Sequence, residues 1–191
     1  GMIGARFESL KTDSSFVTVR DELYSMYGKA GWEPYAEISA GALATYDGRD
    51  NQFYPQSGIF AKSTLNFATS VVGETYKSAT ITLDFRQYIP LLRNHVFAWQ
   101  IYSAGVFSST DIPFQLLPTL GGRDMMRGFR QGMYRENLLM SLQTEYRMPI
   151  YKRLKAAVFC TTGDVVNTNN FQINKLKVSY GAGLRYRLND A

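Results

Sequence analysis

Leu120–Ile150 reads LGGRDMMRGFRQGMYRENLLMSLQTEYRMPI, an arginine-rich loop punctuated by glycines that runs without a break into a long alternating segment. From Asn137 to Arg147 the odd positions are Asn, Leu, Ser, Gln, Glu and Arg. The even positions from Leu138 to Met148 are Leu, Met, Leu, Thr, Tyr and Met. A period of two with one apolar row marks a half-solvated strand. The polar row carries Ser141, Gln143, Glu145 and Arg147, more charge than a dry interior accepts. Water therefore belongs on the polar side, and lipid is the candidate medium for the apolar side.

The same alternation recurs along the chain. Residues 2–10 read as a first strand, and 35–47 sets Ala36, Ile38, Ala40, Ala42, Ala44 and Tyr46 against Glu37, Ser39, Gly41, Thr45 and Asp47. Strands follow at 58–70, 76–90, 95–107, 136–150, 153–164 and 175–188. The last places Lys175, Lys177, Arg185 and Arg187 on one side, a row that calls for water. Connections of about 24, 6, 28 and 11 residues alternate with turns of about 10, 4 and 2, as in a membrane barrel with one rim outside and one in the periplasm. In the long connection 11–34, Val19, Leu23, Met26 and Tyr27 have near-helical spacing and predict a short amphipathic helix over the mouth. Tyr35, Tyr46, Tyr54, Tyr88, Tyr151, Tyr180 and Tyr186 fall near strand ends, as aromatic girdles do.

Composition narrows the function classes. The 191 residues are 45% hydrophobic and 14% aromatic, which excludes disorder, and they show no internal boundary, so 1–191 is read as a single β-barrel domain. A mean hydropathy of -0.21 argues against a transmembrane helix and says nothing against strands that alternate. One cysteine, Cys160, excludes an internal disulfide; with one histidine, His95, it leaves no soft-metal ligand set, so neither metal nor cofactor is expected. The net charge of +5 is spread over many strands rather than gathered on one face, which argues against nucleic acid. There is no Gly-x-Ser-x-Gly elbow, and His95 falls in a turn, so an enzyme is not expected. No charged n-region and apolar h-region follow Met2, so the sequence reads as a processed or partial chain. A soluble sandwich or lipocalin-like barrel also alternates, and only the amount of charge on the polar rows speaks against it.

Five motifs in order, YDGRDNQFYPQSGIF, DFRQYIPL, LGGRDMMRGFRQG, LQTEYRMPI and YGAGLRYRL, resemble the barrel of the bacterial surface antigen family. That family comprises outer-membrane protein insertases and translocators of two-partner secretion. The resemblance covers nearly the whole chain and implies an all-β, antiparallel up-and-down transmembrane barrel segment of about eight strands. It matches roughly strands seven to fourteen of a sixteen-stranded barrel, with the last two strands absent. It also implies the outer membrane of a Gram-negative bacterium, with lipid, client outer-membrane or secreted polypeptides, and periplasmic domains of the same parent chain as partners.

In the resembling family the long loop folds into the lumen and an Arg-Gly-Phe tip is pinned to the inner wall, so the resemblance assigns that role to Arg127, Gly128 and Phe129. Its partners there are a carboxylate matched by Glu145 and the aspartate of a Phe-x-Asp-x-Gly motif. Here that motif reads Phe159-Cys160-Thr161-Thr162-Gly163, so Thr161 stands in for the aspartate and weakens one ionic bond toward a neutral one. Asp164 is a poor substitute by parity. In the turn after the second strand, Asp50 is expected to cap through its side chain, with Pro55 and Gly58 closing the bend. The function implied is protein insertion or translocation, in which a barrel seam or lumen admits client strands by β-augmentation. The alternative is a barrel that serves only as anchor or pore for a separate domain, as in patatin-like lipases.

Overall fold

In the computed structural model the described residues are 2–8, 35–73, 75–91, 94–123, 125–151, 154–167 and 176–186. The expected helix within 11–34 lies outside them. Eight strands form one antiparallel meander: β1 (Met2–Glu8), β2 (Tyr35–Asp47), β3 (Gly58–Val72), β4 (Lys77–Pro90), β5 (Val96–Phe107), β8 (Leu138–Tyr151), β9 (Leu154–Val166) and β10 (Lys177–Tyr186). Two short strands inside the long connection, β6 (Thr119–Leu120) and β7 (Tyr134–Arg135), pair as a separate ribbon. Each strand pairs with its neighbours in sequence except β5, which pairs with β8 across the ribbon-bearing loop. Among the described residues no ladder joins β1 to β10, so the sheet has two edges.

The registers place the rows where the alternation puts them. Lys62 of β3 faces Asp84 of β4, Arg86 faces Gln100 of β5, Gln100 faces Gln143 of β8, and Gln143 faces Thr161 of β9. One polar face thus crosses the sheet. The other carries Ile38, Leu65, Phe67, Ile81, Leu83, Ile101, Leu142, Val158 and Val178, all exposed, Phe67 to 58%. No second layer among the described residues covers that face. Strands of 12–15 residues rise about 3.3 Å each and, tilted about 45°, cross roughly 30 Å, the thickness of a hydrocarbon core. Among the described residues no helix is long and apolar enough to cross a membrane, which has no bearing on a barrel.

Three tyrosines expected in the girdles belong to the inner side. Tyr35 packs edge-on against Tyr76, whose hydroxyl donates to Glu37, and all three are buried. Tyr88 shares the inner row of Arg86, and Tyr54 turns in beneath Arg147. Tyr46, Tyr151, Tyr180 and Tyr186 are exposed. The strand-end signal is the same for both sets, because an aromatic ring suits a wet lumen rim as well as a lipid headgroup layer.

The bend after β2 is organised by the Asp50 and Asn51 side chains. The Asp50 carboxylate accepts from the backbone N–H groups of Asn51, Gln56 and Ser57 at 2.9–3.1 Å, and Asn51 accepts from Phe53 and Tyr54 in the same way. Gly58 has φ +104°, and a Cβ there would fall 2.2 Å from the Gly48 carbonyl oxygen, so only glycine fits.

A candidate lumen site built on Glu145

The long connection folds back over the polar face and is held there first by apolar packing. Leu120 and Met126 are fully buried against Leu139 of β8, with Tyr102, Met125, Phe129, Tyr134 and Val165 around them. Burying two such side chains is worth about 1.5–3 kcal/mol each. Gly163 on β9 makes the fit possible: a Cβ there would lie 3.2 Å from Leu120 Cδ1 and 2.9 Å from the Met140 carbonyl oxygen. The loop tip folds on itself through Met126 N–H to Gly122 O at 3.0 Å and Gly122 N–H to Phe129 O at 2.9 Å. Gly128 at φ +94° supplies the left-handed residue that reverses the chain between Arg127 and Phe129. Phe129 then packs on Tyr134 with ring centroids 5.9 Å apart.

That fold delivers Arg127 to the inner wall. Its guanidinium stacks over the Phe159 ring at 4.4 Å, and its Nη2 stands 3.7 Å from Glu145 Oε2, an ion pair rather than a hydrogen bond. Glu145 is also bound by two wall arginines: Arg147 Nε donates to Oε1 at 2.6 Å, and Arg185 Nη2 donates to Oε2 at 2.8 Å. Three guanidiniums therefore share one carboxylate. Arg147 continues inward, donating through Nη1 to the Pro55 carbonyl oxygen at 2.9 Å and resting over the Tyr54 ring at 5.1 Å, while Lys155 covers that ring at 4.3 Å. Glu145 thus links the loop entering from one rim with the turn closing the other.

The residues expected to form the pin lie as follows. Glu145 lies 3.7 Å from Arg127; Thr161 is buried to 2% exposure, and Gly163 meets the loop through Leu120 rather than through the arginine. Asp164 binds the Lys177 ammonium. Pro55 does more than close a turn, because its carbonyl is the acceptor for Arg147. From the sequence, Phe159 is placed only at the head of the Phe-x-Asp-x-Gly match, and the Leu120–Met126–Leu139 plug is given no role. The Met125-Met126 pair in an otherwise polar loop was the available signal for the plug, and the inward parity of Phe159 was the signal for the stacking ring.

Around Glu145 lies a hollow of about 390 Å³ lined by Arg86, Tyr88, Gln100, Arg127, Gln143, Arg147, Phe159 and Arg185 among others. Arg86 is held by Asp84, with Nη2 to Oδ2 at 2.6 Å, and Gln100 donates to the same carboxylate at 2.8 Å. No group of three or more metal-ligating side chains occurs among the described residues. The arrangement offers positioned cations and a stacking ring.

The sequence profile of the Omp85 superfamily domain matches residues 4–189. No curated protein matches the chain significantly. Among solved structures, the crystal structure of BamA from Haemophilus ducreyi lacking POTRA domains 1-3 is similar, with a TM-score of 0.65 at 20% sequence identity. The match covers 80% of this chain and 37% of that one, so the chain spans little more than a third of its length. At that identity the likeness is one of fold.

Proposed function

This chain belongs to the Omp85 superfamily, whose barrels lie in the Gram-negative outer membrane, and from that membership we propose that it is the loop-bearing part of a polypeptide insertion or translocation barrel. In this reading the sheet is a portion of a sixteen-stranded barrel, its exposed rows face acyl chains, and its polar face lines an aqueous lumen. Further strands cover the two sheet edges, since lipid offers no partner to unpaired backbone groups. Clients are outer-membrane or secreted polypeptides that enter as extended strands and pair with exposed backbone.

The observation that carries the proposal is the Arg127-Gly128-Phe129 tip resting on the inner wall, with Arg127 between Glu145 and Phe159. A loop that only capped a pore would need neither an inward guanidinium nor a carboxylate shared across two wall strands. The test is Arg127→Ala in the full-length parent, read by membrane insertion and by client assembly or transport. Retained insertion with reduced client handling is expected. Unchanged client handling would count against the reading and favour a barrel that merely anchors another domain.

A further inference from the structure

The charges around the hollow do not balance. Four guanidiniums, from Arg86, Arg127, Arg147 and Arg185, line it, and Glu145 is the carboxylate among its lining residues, with Asp84 behind Arg86. Two positive charges are left in excess among the described groups. Walls of low polarizability screen such an excess less well than open water does, so it attracts a counter-anion.

The free donors are also in place. Arg127 approaches Glu145 no closer than 3.7 Å and donates no hydrogen bond to a described residue, so its N–H groups remain available. Its plane is fixed by the Phe159 ring at 4.4 Å, and its side chain is 42% exposed. Arg185 spends one Nη2 bond on Glu145 and keeps the rest of its fork. Gln143 and Gln100, joined by a 3.3 Å hydrogen bond, supply neutral polar groups on the adjacent wall.

The geometry points to an oxyanion site in this hollow, between Arg127 and Arg185 and opposite Glu145, that takes a phosphate or phosphomonoester group. Guanidinium forks match tetrahedral oxyanions through paired N–H donors. A phosphate carries close to two charges at neutral pH and cancels the excess, whereas a single carboxylate would leave one guanidinium unpaired. The site rests on the docked position of the loop and does not depend on what the barrel transports.

Calorimetric titration of inorganic phosphate into the full-length protein, in zwitterionic detergent at low ionic strength and pH 7.5, tests the assignment. One saturable site per chain is expected. R185Q and R127Q each weaken it about tenfold, in line with the loss of one charge-assisted contact. E145Q strengthens it severalfold, because the competing carboxylate charge is gone; an unfolded variant would not bind more tightly, so this arm separates a site from a folding defect. K62Q, an exposed lysine outside the hollow, leaves affinity unchanged. Repeating the titration in vesicles with and without phosphatidate identifies the source: suppression by phosphatidate points to a lipid headgroup, and persistence points to free phosphate. Absence of saturable binding, or binding indifferent to R127Q, R185Q and E145Q, overturns the assignment.

Discussion

Replacing Glu145 by glutamine removes the charge that three arginines share while keeping the size of the side chain. The Arg147 bond is the strongest, at 2.6 Å between groups that are each largely enclosed, and a charge-assisted bond of this kind is worth about 1.5–3 kcal/mol. The Arg185 bond at 2.8 Å joins a more exposed partner and is discounted to about 1 kcal/mol; the Arg127 pair at 3.7 Å, with a half-exposed guanidinium, adds a few tenths. Glutamine retains one acceptor oxygen and recovers part of the Arg147 bond, so E145Q should cost about 2 kcal/mol and E145A about 3–4. The assay is reversible urea unfolding of the lipid-reconstituted protein, paired with limited proteolysis of the loop. A double-mutant cycle of E145Q with R147Q should return a coupling of about 1–2 kcal/mol. The apolar plug keeps the loop docked in E145Q, so the digest should change little, and a stability loss under roughly 0.5 kcal/mol would refute the view of Glu145 as the junction of wall, loop and turn.

Gly163→Val drives a side chain into the space of Leu120, so the loop should lift at a cost of about 1–3 kcal/mol, visible as faster cleavage near Arg123 and Arg130. Thr161→Asp restores a second carboxylate near an arginine excess and places an acceptor across from Ser179, whose buried hydroxyl has no described partner. It should slow loop proteolysis and stabilise the fold by about 1 kcal/mol, and a destabilised variant would show that the added charge stays desolvated. At Asp50, burial pushes the carboxyl up, but the N–H groups of Ser57, Gln56 and Asn51 and its own N–H together hold it below the ordinary value of 3.8. Its contribution to the turn is therefore complete above that value and lost as the pH falls through the lowered one. Asp50→Asn should flatten the acid limb of the unfolding curve below about pH 4, and an unaltered limb would assign acid sensitivity to other groups.

The strands were legible because a two-residue period survives whatever covers either face: β10 shows it without interruption, and β2, β4 and β8 show it with exceptions at Leu43, Gln87 and Leu139. Strand ends shifted by a residue or two: β3 continues to Val72 and β9 to Val166, past the polar residues that suggested a stop, because ladder pairing with neighbours outweighs local composition. The inward set of Glu145, Arg147 and Arg185 followed from parity alone. That Glu145 holds all three arginines did not, since parity fixes the face of a side chain and not its partner several strands away. The loop was the least readable part. Its β6–β7 ribbon is two residues on each side, too short for a periodic signal, and the plug depends on Gly163, whose small size matters only once Leu120 lies over it. Tyr54 and Pro55 looked like ordinary turn residues, and only the path of the bend beneath Arg147 gives them a second role.

The account stands on which face of the sheet meets lipid. The single cysteine, Cys160, is exposed on the apolar side of β9, next in sequence to buried Thr161 on the polar side. A nitroxide placed at Cys160, and in C160S backgrounds at Leu142 and then Gln143, reports collision with lipid-dissolved oxygen and with a water-soluble nickel chelate in reconstituted vesicles. Oxygen should dominate at Cys160 and Leu142, and the chelate should reach Gln143. Equal accessibility at Leu142 and Gln143, or protection of Cys160 and Leu142 from both reagents, would contradict a lipid-facing apolar row and with it the lumen on which the Glu145 site depends.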